Sequence, residues 1–283
     1  MAGFDAHIYS NNNDIQKSDA TDILNSCLSF TEWSPNETIM DVGTGDGTVL
    51  FDVLLPKIPP NFKKIVALDI NPDMLFIAES KCRQNEKIEF VCLDIATKNL
   101  PSRFQSDFDH IFSFYCLHWV ADQRRAFENV YSMLKPGGSL LVTLVVDHVV
   151  CDVYDKLVEN KKYSSMISSF KHNIFPYRNC KNSVETVTQL LNTVGFVGVK
   201  IEESKRVSVH KSFAEFQKWA LGINPFMKTI PQEDLELYKE EFHAELKNVV
   251  KATNIMGMGE KFFDSYPVLV VFASKPLPNH QIK

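Results

Sequence analysis

Short apolar runs alternate with longer stretches of helical periodicity in the first half of the chain. The short runs indicate buried strands, and the stretches whose apolar residues recur every three or four positions indicate amphipathic helices. Alternation of this kind is typical of an α/β fold built on a parallel sheet. The predicted strands cover residues 39–42, 64–68, 88–93, 110–114 and 139–145, and the predicted helices cover residues 48–55, 71–85 and 122–134.

The pattern changes after residue 146, where polar and aromatic residues at helical spacing replace the strand-like runs. We interpret residues 147–185 as an inserted cap. Residues 212–256 are predicted to be a helical excursion between two antiparallel strands, and connections of that length are often lids or binding segments. Single-domain organisation is expected for residues 1–283, with a ligand-binding core at 36–146, a helical cap at 1–30, 147–185 and 210–262, and residues 186–209 and 263–275 completing the sheet.

Acidic residues and glycines stand where the first three predicted strands end. Asp41 precedes the loop Gly43-Thr44-Gly45-Asp46-Gly47, Asp69 follows the second strand, and Asp94 follows the third. Glycine can take positive φ and lets a ligand approach the main chain closely. One such residue is more often ordinary turn chemistry, but three in register predict a ligand cleft at the carboxyl edge of the sheet. The G-x-G-x-G spacing differs from the dinucleotide fingerprint G-x-G-x-x-G, which counts against NAD.

Composition narrows the class of partner. A net charge of −5, a pI near 5.9 and no long basic run argue against nucleic-acid binding. The polar amino-terminal residues carry no secretory pattern, and no apolar stretch of about 18 residues occurs, so we expect a cytoplasmic protein without membrane insertion. Six scattered cysteines lack the spacing of metal ligands. We therefore expect neither a disulfide nor a metal.

The three acidic strand ends and the turn Leu134-Lys135-Pro136-Gly137-Gly138 resemble the class I S-adenosylmethionine-dependent methyltransferases. The resemblance implies a Rossmann-like, seven-stranded, mostly parallel sheet with an antiparallel last strand and a helical cap. It also implies S-adenosylmethionine as the cofactor. The cofactor-binding residues expected on this basis are Asp41, Gly43, Gly45, Asp69, Ile70, Met74, Asp94, Ile95, Ser113 and Phe114.

A narrower resemblance runs nearly from end to end. Residues 112–119, 14–20 and 223–226, with Tyr9 and Asn12, are similar to the insect juvenile hormone acid O-methyltransferases. Members of that family methylate the carboxylate of farnesoic acid or juvenile hormone acid, and the resemblance implies that Gln16 and Trp119 hold this carboxylate as catalytic residues. Without this resemblance, Gln16 would be interpreted as an exposed polar residue at the start of a helix and Trp119 as a half-buried anchor. Further expected substrate contacts are Tyr115, His118, Phe175, Trp219 and Phe226, with Tyr163 as another candidate.

The chemistry agrees with a carboxylate acceptor, because a carboxylic acid is ionised at neutral pH and needs no general base. Neutral donors can orient it without drawing charge from the attacking oxygen, and the role of His118 is left open. Alternatives are a fatty acid, a dicarboxylate such as aconitate, and a binding protein without turnover. A nicotinamide oxidoreductase is disfavoured by the glycine spacing. The expected partner is a small lipophilic acid, and a homodimer stays open.

Overall fold

A mixed β-sheet crosses the protein in a computed structural model that describes residues 4–82, 85–171, 174–252, 257–258 and 261–278. The strand order is β3-β2-β1-β4-β5-β8-β6, and a two-residue strand, β7, pairs with β8. Strand β8 is antiparallel to both of its long neighbours, whereas β1 to β5 pair in parallel. The strands are β1 Thr38–Val42, β2 Lys64–Asp69, β3 Ile88–Cys92, β4 Phe108–Ser113, β5 Leu134–Val145, β6 Val197–His210, β7 Gly257–Met258 and β8 Lys261–Ser274.

Helices cover the sheet and one of its edges. The first two, α1 and α2, precede the sheet; α3, α4 and α7 connect strands; and α5, α6, α8 and α9 belong to the two long insertions. Their bounds are α1 Ala6–Ser10, α2 Asp14–Cys27, α3 Pro72–Lys81, α4 Gln123–Met133, α5 Val149–Glu159, α6 Lys161–Lys171, α7 Ser183–Val194, α8 Phe213–Gly222 and α9 Leu235–Ala252. Among the described residues, none of these helices is long and apolar enough to cross a lipid bilayer.

The predicted α/β class, the seven main strands and the antiparallel last strand are confirmed. The prediction of one helical excursion over residues 212–256 is wrong in its continuity. The chain leaves the helix after Gly222 and re-enters it at Leu235, because Pro225 and Pro231 interrupt the intervening segment. The predicted end at Met256 lies outside the described residues.

Two of the other differences from prediction concern the helix after β1 and the start of β5. Residues 48–55 are helical, but Leu50–Leu54 forms a π-helical turn, which hydrophobic periodicity does not distinguish from an α-helix. Strand β5 begins at Leu134 rather than Ser139, since Leu134 pairs with Phe108 before the ladder resumes at Ser139 and His110. The Leu134-to-Gly138 motif is thus an irregularity inside the strand, with Gly137 at φ +82°.

Alternate residues of the strands enter different hydrophobic clusters, as the two-residue repeat of a strand requires. In β1, Met40 and Val42 face the cluster that contains Phe127 of α4, whereas Ile39 faces the cluster that contains Leu24 of α2. A third cluster fills the helical cap around α5, α8 and α9. The parallel strands end at a common edge, and the cap lies beyond it.

Candidate active site

A cavity of about 700 Å³ lies between the carboxyl ends of the parallel strands and the helical cap. Its volume is within the usual range for small-molecule sites. One part of its wall comes from β1, β2 and β3 and includes Gly43, Asp69 and Asp94. The other part comes from α2, the turn after β4, and the cap, and includes Gln16 and Trp119. We call these two parts the strand-edge half and the cap half.

The glycine loop is packed too tightly for a side chain at its first position. Gly43 has φ +77°, and a Cβ added there would lie 2.2 Å from the Cβ and Sγ atoms of Cys116. The loop is fixed from the neighbouring strand by Asp69, which accepts hydrogen bonds from the backbone N–H groups of Gly45 and Asn71, each at 2.8 Å. The main chain of the loop is therefore held open toward the cavity.

Two carboxyl groups beside this loop interact electrostatically. Burial raises the pKa of Asp41 to about 7, with the neighbouring charge of Asp69 adding to the effect and a hydrogen bond from Thr44 opposing it. Burial also raises the pKa of Asp69, against the hydrogen bonds from Asn71 and Gly45. Because both shifts express a cost of buried negative charge, a cationic ligand nearby would be stabilised.

The strand-edge half thus fits a ligand that carries positive charge and hydroxyl groups. Asp69 and Asp94 line the cavity at the ends of adjacent strands, and the second carboxylate is held in a turn by the N–H of Ala96. Cys116 lines the same wall, and burial together with Asp69 and Asp41 raises the pKa of its thiol. A neutral thiol lies here beside two acidic groups, which suits a sulfonium with its ammonium and ribose.

Trp119 ends a 3₁₀ turn, Leu117–Trp119, that follows β4. The amide of Gln123 fixes this turn by donating to the carbonyl oxygens of Leu117 at 2.6 Å and Val120 at 2.7 Å. The hydroxyl of Tyr177 donates in turn to Gln123 Oε1 at 2.9 Å. The indole of Trp119 is consequently carried on a turn that a buried hydrogen-bond chain holds in place.

Aromatic rings surround the indole of Trp119. Phe4 and Phe175 contact it edge to face, with centroid distances of 5.1 and 4.9 Å. Phe175 has φ +52° and Tyr115 has φ +54°, which is strained backbone for residues other than glycine. The N–H of Phe175 donates to the carbonyl of His118 at 2.8 Å. Strained backbone thus occurs on two sides of the cap half.

Gln16 lies on the first turn of α2 and is 94 % buried at the cavity wall, since its exposed fraction is 6 %. Its Oε1 has no hydrogen-bond partner among the described residues. One turn later, Asp19 accepts hydrogen bonds from the hydroxyl groups of Tyr115 and, at 2.8 Å, Tyr266. Helix α2 is thereby fastened to the turn after β4 and to β8, and Gln16 Oε1 is left without a protein partner at the cavity wall.

The two histidines of the cavity wall differ in their surroundings. His118 is fully buried, and burial with the nearby His148 lowers its pKa to about 3, so the ring is neutral at physiological pH. Its Nδ1 accepts the backbone N–H of Val145 at 3.4 Å. His148 Nε2 lies 2.7 Å from the buried carboxylate of Asp264. One nitrogen of His118 is thus engaged by the main chain, and one nitrogen of His148 by a carboxylate.

Most of the residues expected from the sequence meet at this cavity. Asp41 is buried beneath the loop, and Ser113 donates to the carbonyl of Val42 at 2.9 Å; both are off the wall. Phe226 and Tyr163 are fully buried in the cap, where they pack on Tyr154 and Tyr238. The predicted residues on the wall are Gln16, Gly43, Gly45, Asp69, Ile70, Met74, Asp94, Ile95, Phe114, Tyr115, His118, Trp119, Phe175 and Trp219.

Several wall residues were not predicted as site residues, notably Phe4, His148 and Tyr266. Tyr266 stands in a strand whose alternation indicates burial but not which ligand the ring would meet. Phe4 belongs to a polar amino-terminal segment without any local signal. Within the described parts of the chain, no group of three or more His, Cys, Asp or Glu side chains is placed to hold a metal ion.

Comparison with known proteins agrees with this geometry. Residues 40–140 match the family model described as a methyltransferase domain. Over 95 % of its length the chain is 31 % identical to a juvenile hormone acid O-methyltransferase of Drosophila melanogaster, covering 92 % of that protein. It is 29 % identical to the enzyme of the same name from Bombyx mori, covering 97 % of it.

Among solved structures, a phosphoethanolamine N-methyltransferase 2 of Haemonchus contortus with bound S-adenosylhomocysteine superimposes with a TM-score of 0.52. The match has 16 % identity and covers 90 % of this chain and 52 % of that one. At this identity the likeness concerns the fold.

Proposed function

The chain belongs to the juvenile hormone acid O-methyltransferase family and is an S-adenosylmethionine-dependent methyltransferase, and from that premise we propose that it esterifies a sesquiterpenoid acid. The proposed acceptors are farnesoic acid and juvenile hormone acid. The observation that carries the proposal is the continuity of one cavity. Its strand-edge half has acidic groups suited to a cationic cofactor, and its cap half is apolar with two neutral donors, Gln16 and Trp119.

The residues of the strand-edge half fit the cofactor. Asp69 and Asp94 would hold its ribose and adenine, and the backbone beside Gly43 and Gly45 would allow its amino-acid portion to pass close to the loop. Asp41, behind the loop, would stabilise the positive charge through the protein. Bound S-adenosylmethionine supplies an electrophilic methyl group on a positively charged sulfur.

The cap half has to orient a nucleophile rather than activate it. A carboxylate is already ionised at neutral pH, so no proton has to be removed. Gln16 and Trp119 can donate hydrogen bonds to one carboxylate oxygen and aim the other at the methyl group. Alignment of reacting groups is worth roughly 7–11 kcal/mol in well-oriented intramolecular reactions. The neutral ring of His118 adds no positive charge that would compete for the attacking oxygen.

The charges of the wall favour a monocarboxylate over a dicarboxylate. Among the described wall residues, Lys228 is the one lysine or arginine, and it is 42 % exposed and paired with Asp73 on α3. The deeper wall of the cap half is apolar or aromatic, with Val145, Ile174 and Ile223. A second carboxylate would find no unpaired cation there. A terpenoid chain would bury its apolar surface against these side chains.

Several finer points belong to the same proposal. We take residues 1–283 as one domain whose cap, at 1–30, 147–185 and 210–262, encloses the lipophilic part of the acceptor. The protein would act in the cytoplasm, as a monomer or a homodimer. Phe226 and Tyr163 would support the chamber from behind rather than touch the acid, since both pack inside the cap.

The experiment is methyl transfer from radiolabelled S-adenosylmethionine to farnesoic acid, juvenile hormone acid, lauric acid and aconitate, with extraction of the labelled ester. Farnesol, which has the chain without the carboxylate, is the matched acceptor control. We expect label on the two sesquiterpenoid acids and none on farnesol. Wild-type protein and the Trp119→Ala variant are assayed in parallel.

The other outcomes select among the alternatives. Preferential label on lauric acid would make the protein a fatty-acid carboxyl methyltransferase, and preferential label on aconitate would contradict the charge argument. If no acid is labelled although S-adenosylmethionine binds, the proposal fails and a ligand-binding role takes its place. Binding of the cofactor is measured separately by calorimetry.

A further inference from the structure

One acidic residue of the glycine loop does not face the cavity. Asp46 is 2 % exposed and is not among the residues that line the cavity. Its Oδ2 accepts hydrogen bonds from Ser10 Oγ at 2.6 Å, Asn13 Nδ2 at 3.0 Å and Thr48 Oγ1 at 2.9 Å, and it pairs with Lys81 Nζ at 2.7 Å. A carboxylate so fully engaged by the protein is not free to bind a ligand.

Two of these partners belong to the amino-terminal segment that carries Gln16. Ser10 ends α1, and Asn13 is the N-cap residue immediately before α2. A helix-initiating asparagine ordinarily accepts a hydrogen bond from its own helix, but the side chain of Asn13 makes no such bond. Its amide instead donates to Asp46 and, at 3.1 Å, to Thr48 Oγ1. The start of α2 is fastened to the glycine loop rather than capped.

The carboxyl group of Asp46, which makes these contacts, is ionised at neutral pH. Burial alone would raise the pKa of Asp46, but hydrogen bonds from Lys81 and Ser10 and the charge of Lys81 lower it below its ordinary value. Lys81 belongs to α3, so the carboxylate joins the loop, α3 and both amino-terminal helices. Tyr9 extends the same contact, because its ring lies 3.7 Å from the position that a Cβ on Gly45 would take.

We propose that Asp46 is a positioning residue that couples the cofactor loop to Gln16, so that occupation of the cofactor site increases affinity for the acid acceptor. This inference rests on the proposed function, since Gln16 is taken to hold the acceptor carboxylate. Gln16 stands three residues after Asn13, within the first helical turn, so a shift of Asn13 would be transmitted to it. By linkage the coupling is reciprocal, so the acid must also increase affinity for the cofactor product.

The test measures binding of farnesoic acid by calorimetry with and without saturating S-adenosylhomocysteine. For the wild type we expect the acid to bind about tenfold more tightly in the presence of S-adenosylhomocysteine, within the usual range for coupled sites. In Asp46→Asn the ion pair with Lys81 is lost, and we expect the coupling factor to fall to nearly one. Affinity for S-adenosylhomocysteine alone should change by less than about threefold, because Asp46 does not line its site.

The matched control is Asp52→Asn. Asp52 pairs with Lys17 and so also joins α2 to the segment that follows the glycine loop, but this pair is about half exposed. Exposed ion pairs contribute little, so the control should keep the wild-type coupling. If Asp46→Asn does not fold, Asn13→Ala provides the same readout, since it removes the contact with α2 and leaves the pair of Asp46 with Lys81 intact.

The remaining outcomes overturn the inference, and they show whether the proposed function fails with it. Acid binding by the wild type that is independent of S-adenosylhomocysteine overturns the inference and leaves the proposed function standing. Retention of full coupling in Asp46→Asn or Asn13→Ala would also overturn the inference and leave the proposed function standing. If the wild type binds no acid under either condition, the proposed acceptor fails together with the inference.

Discussion

The strand-edge half and the cap half of the cavity differ in their electrostatics. At the strand edge, Asp41 and Asp69 interact electrostatically, and burial raises the pKa of both. In the cap half, the groups nearest the proposed carboxylate site are neutral, including Gln16, Trp119 and the unprotonated ring of His118. A cationic donor would therefore gain charge stabilisation on one side, while an anionic acceptor would meet no unpaired lysine or arginine among the described wall residues on the other.

The halves also differ in how they are assembled. Asp41, Gly43, Asp69 and Asp94 lie at the ends of consecutive parallel strands, so the sheet alone brings them together. The cap half depends on contacts between distant segments, such as the hydrogen bond from Tyr266 to Asp19 across 247 residues. We expect the first half to tolerate few changes of backbone and the second to tolerate some changes of side chain.

The largest expected effect is that of Gly43→Ala in the strand-edge half. The added Cβ would overlap Cys116 at 2.2 Å, and alanine is disfavoured at φ +77° by ~1–2 kcal/mol. Since a displacement of about 1 Å can cost 100-fold in rate, the clash and the strain together should lower kcat/KM by about 1,000-fold. Steady-state kinetics with calorimetry of S-adenosylhomocysteine binding would measure the loss.

Gly198→Ala is the control for backbone strain alone. Gly198 has φ +61°, but no atom lies within 4 Å of the position that its Cβ would take. We expect this variant to lose some stability while keeping cofactor affinity. Equal loss of cofactor binding in both variants would mean that positive φ, and not the approach to Cys116, makes the loop sensitive.

A second prediction concerns the cap half, where Trp119→Ala should reduce kcat/KM for the acid by about 100-fold. A hydrogen bond to a charged group contributes ~1.5–3 kcal/mol, and the edge contacts with Phe4 and Phe175 are lost as well. His118→Ala should retain more activity, because a ring with a pKa near 3 serves neither as a proton acceptor nor as a cation at neutral pH.

Trp119→Phe separates the hydrogen bond from the packing. It keeps an aromatic ring but removes the indole N–H, so the proposed orienting role requires most of the loss to persist. Full activity of Trp119→Phe would reduce Trp119 to a packing residue. Equal collapse of His118→Ala and Trp119→Ala, with both proteins folded by circular dichroism, would contradict the distinction between the two residues.

The third prediction is a pH dependence of cofactor binding that originates in Asp41. A cationic ligand favours the ionised form, whose pKa in the free protein is about 7. Affinity for S-adenosylmethionine should therefore fall about tenfold between pH 8 and pH 6, since one proton must be displaced. Asp41→Asn should bind more weakly at pH 8 and show a flat profile. A wild-type profile that is flat over this interval would contradict the assignment.

Asp41 also makes the stability of the fold depend on pH, but with the opposite sign: cofactor affinity rises with pH, whereas stability falls. A carboxyl whose folded pKa is raised adds stability below its unfolded pKa of about 4, and this contribution is lost as the pH rises through about 7. Without cofactor, the contribution of Asp41 to the melting temperature should thus decline over that interval. The Asp41→Asn variant should lack this component of the decline.

The strand-edge half and the cap half also differ in how far the sequence predicts them. The strand-edge half follows from local patterns, because an apolar run that ends in an acidic residue shows both the strand and its ligand-facing end. For the cap half, Gln16 and Trp119 were identified through resemblance, and no local pattern distinguishes either from an ordinary helix-start or anchoring residue. Asp19 and Tyr266 could not be paired, since alternation indicates burial and not which distant residues meet.

Some of what prediction missed had a signal and some had none. The break between α8 and α9 could have been read from Pro225 and Pro231, because the residue before a proline disfavours helix. The π-helical turn at Leu50–Leu54 has the same apolar spacing as an α-helix, so the pattern does not reveal it. The sequence places Asp46 in the glycine loop, but no local pattern shows that its carboxylate is bonded to Ser10 and Asn13 of the amino-terminal segment.

The smallest expected effect tests whether the cap half is held by packing or by polar contacts. Tyr177→Phe removes the hydroxyl that donates to Gln123 Oε1 at 2.9 Å and so indirectly loosens the turn that carries Trp119. A neutral hydrogen bond contributes ~0.5–1.5 kcal/mol, which corresponds to a fall of a few degrees in melting temperature. The amide of Gln123 keeps its two bonds to Leu117 and Val120, so KM for the acid should rise only about two- to threefold. A loss as large as that of Trp119→Ala would mean that the turn, and not the indole itself, determines acceptor binding.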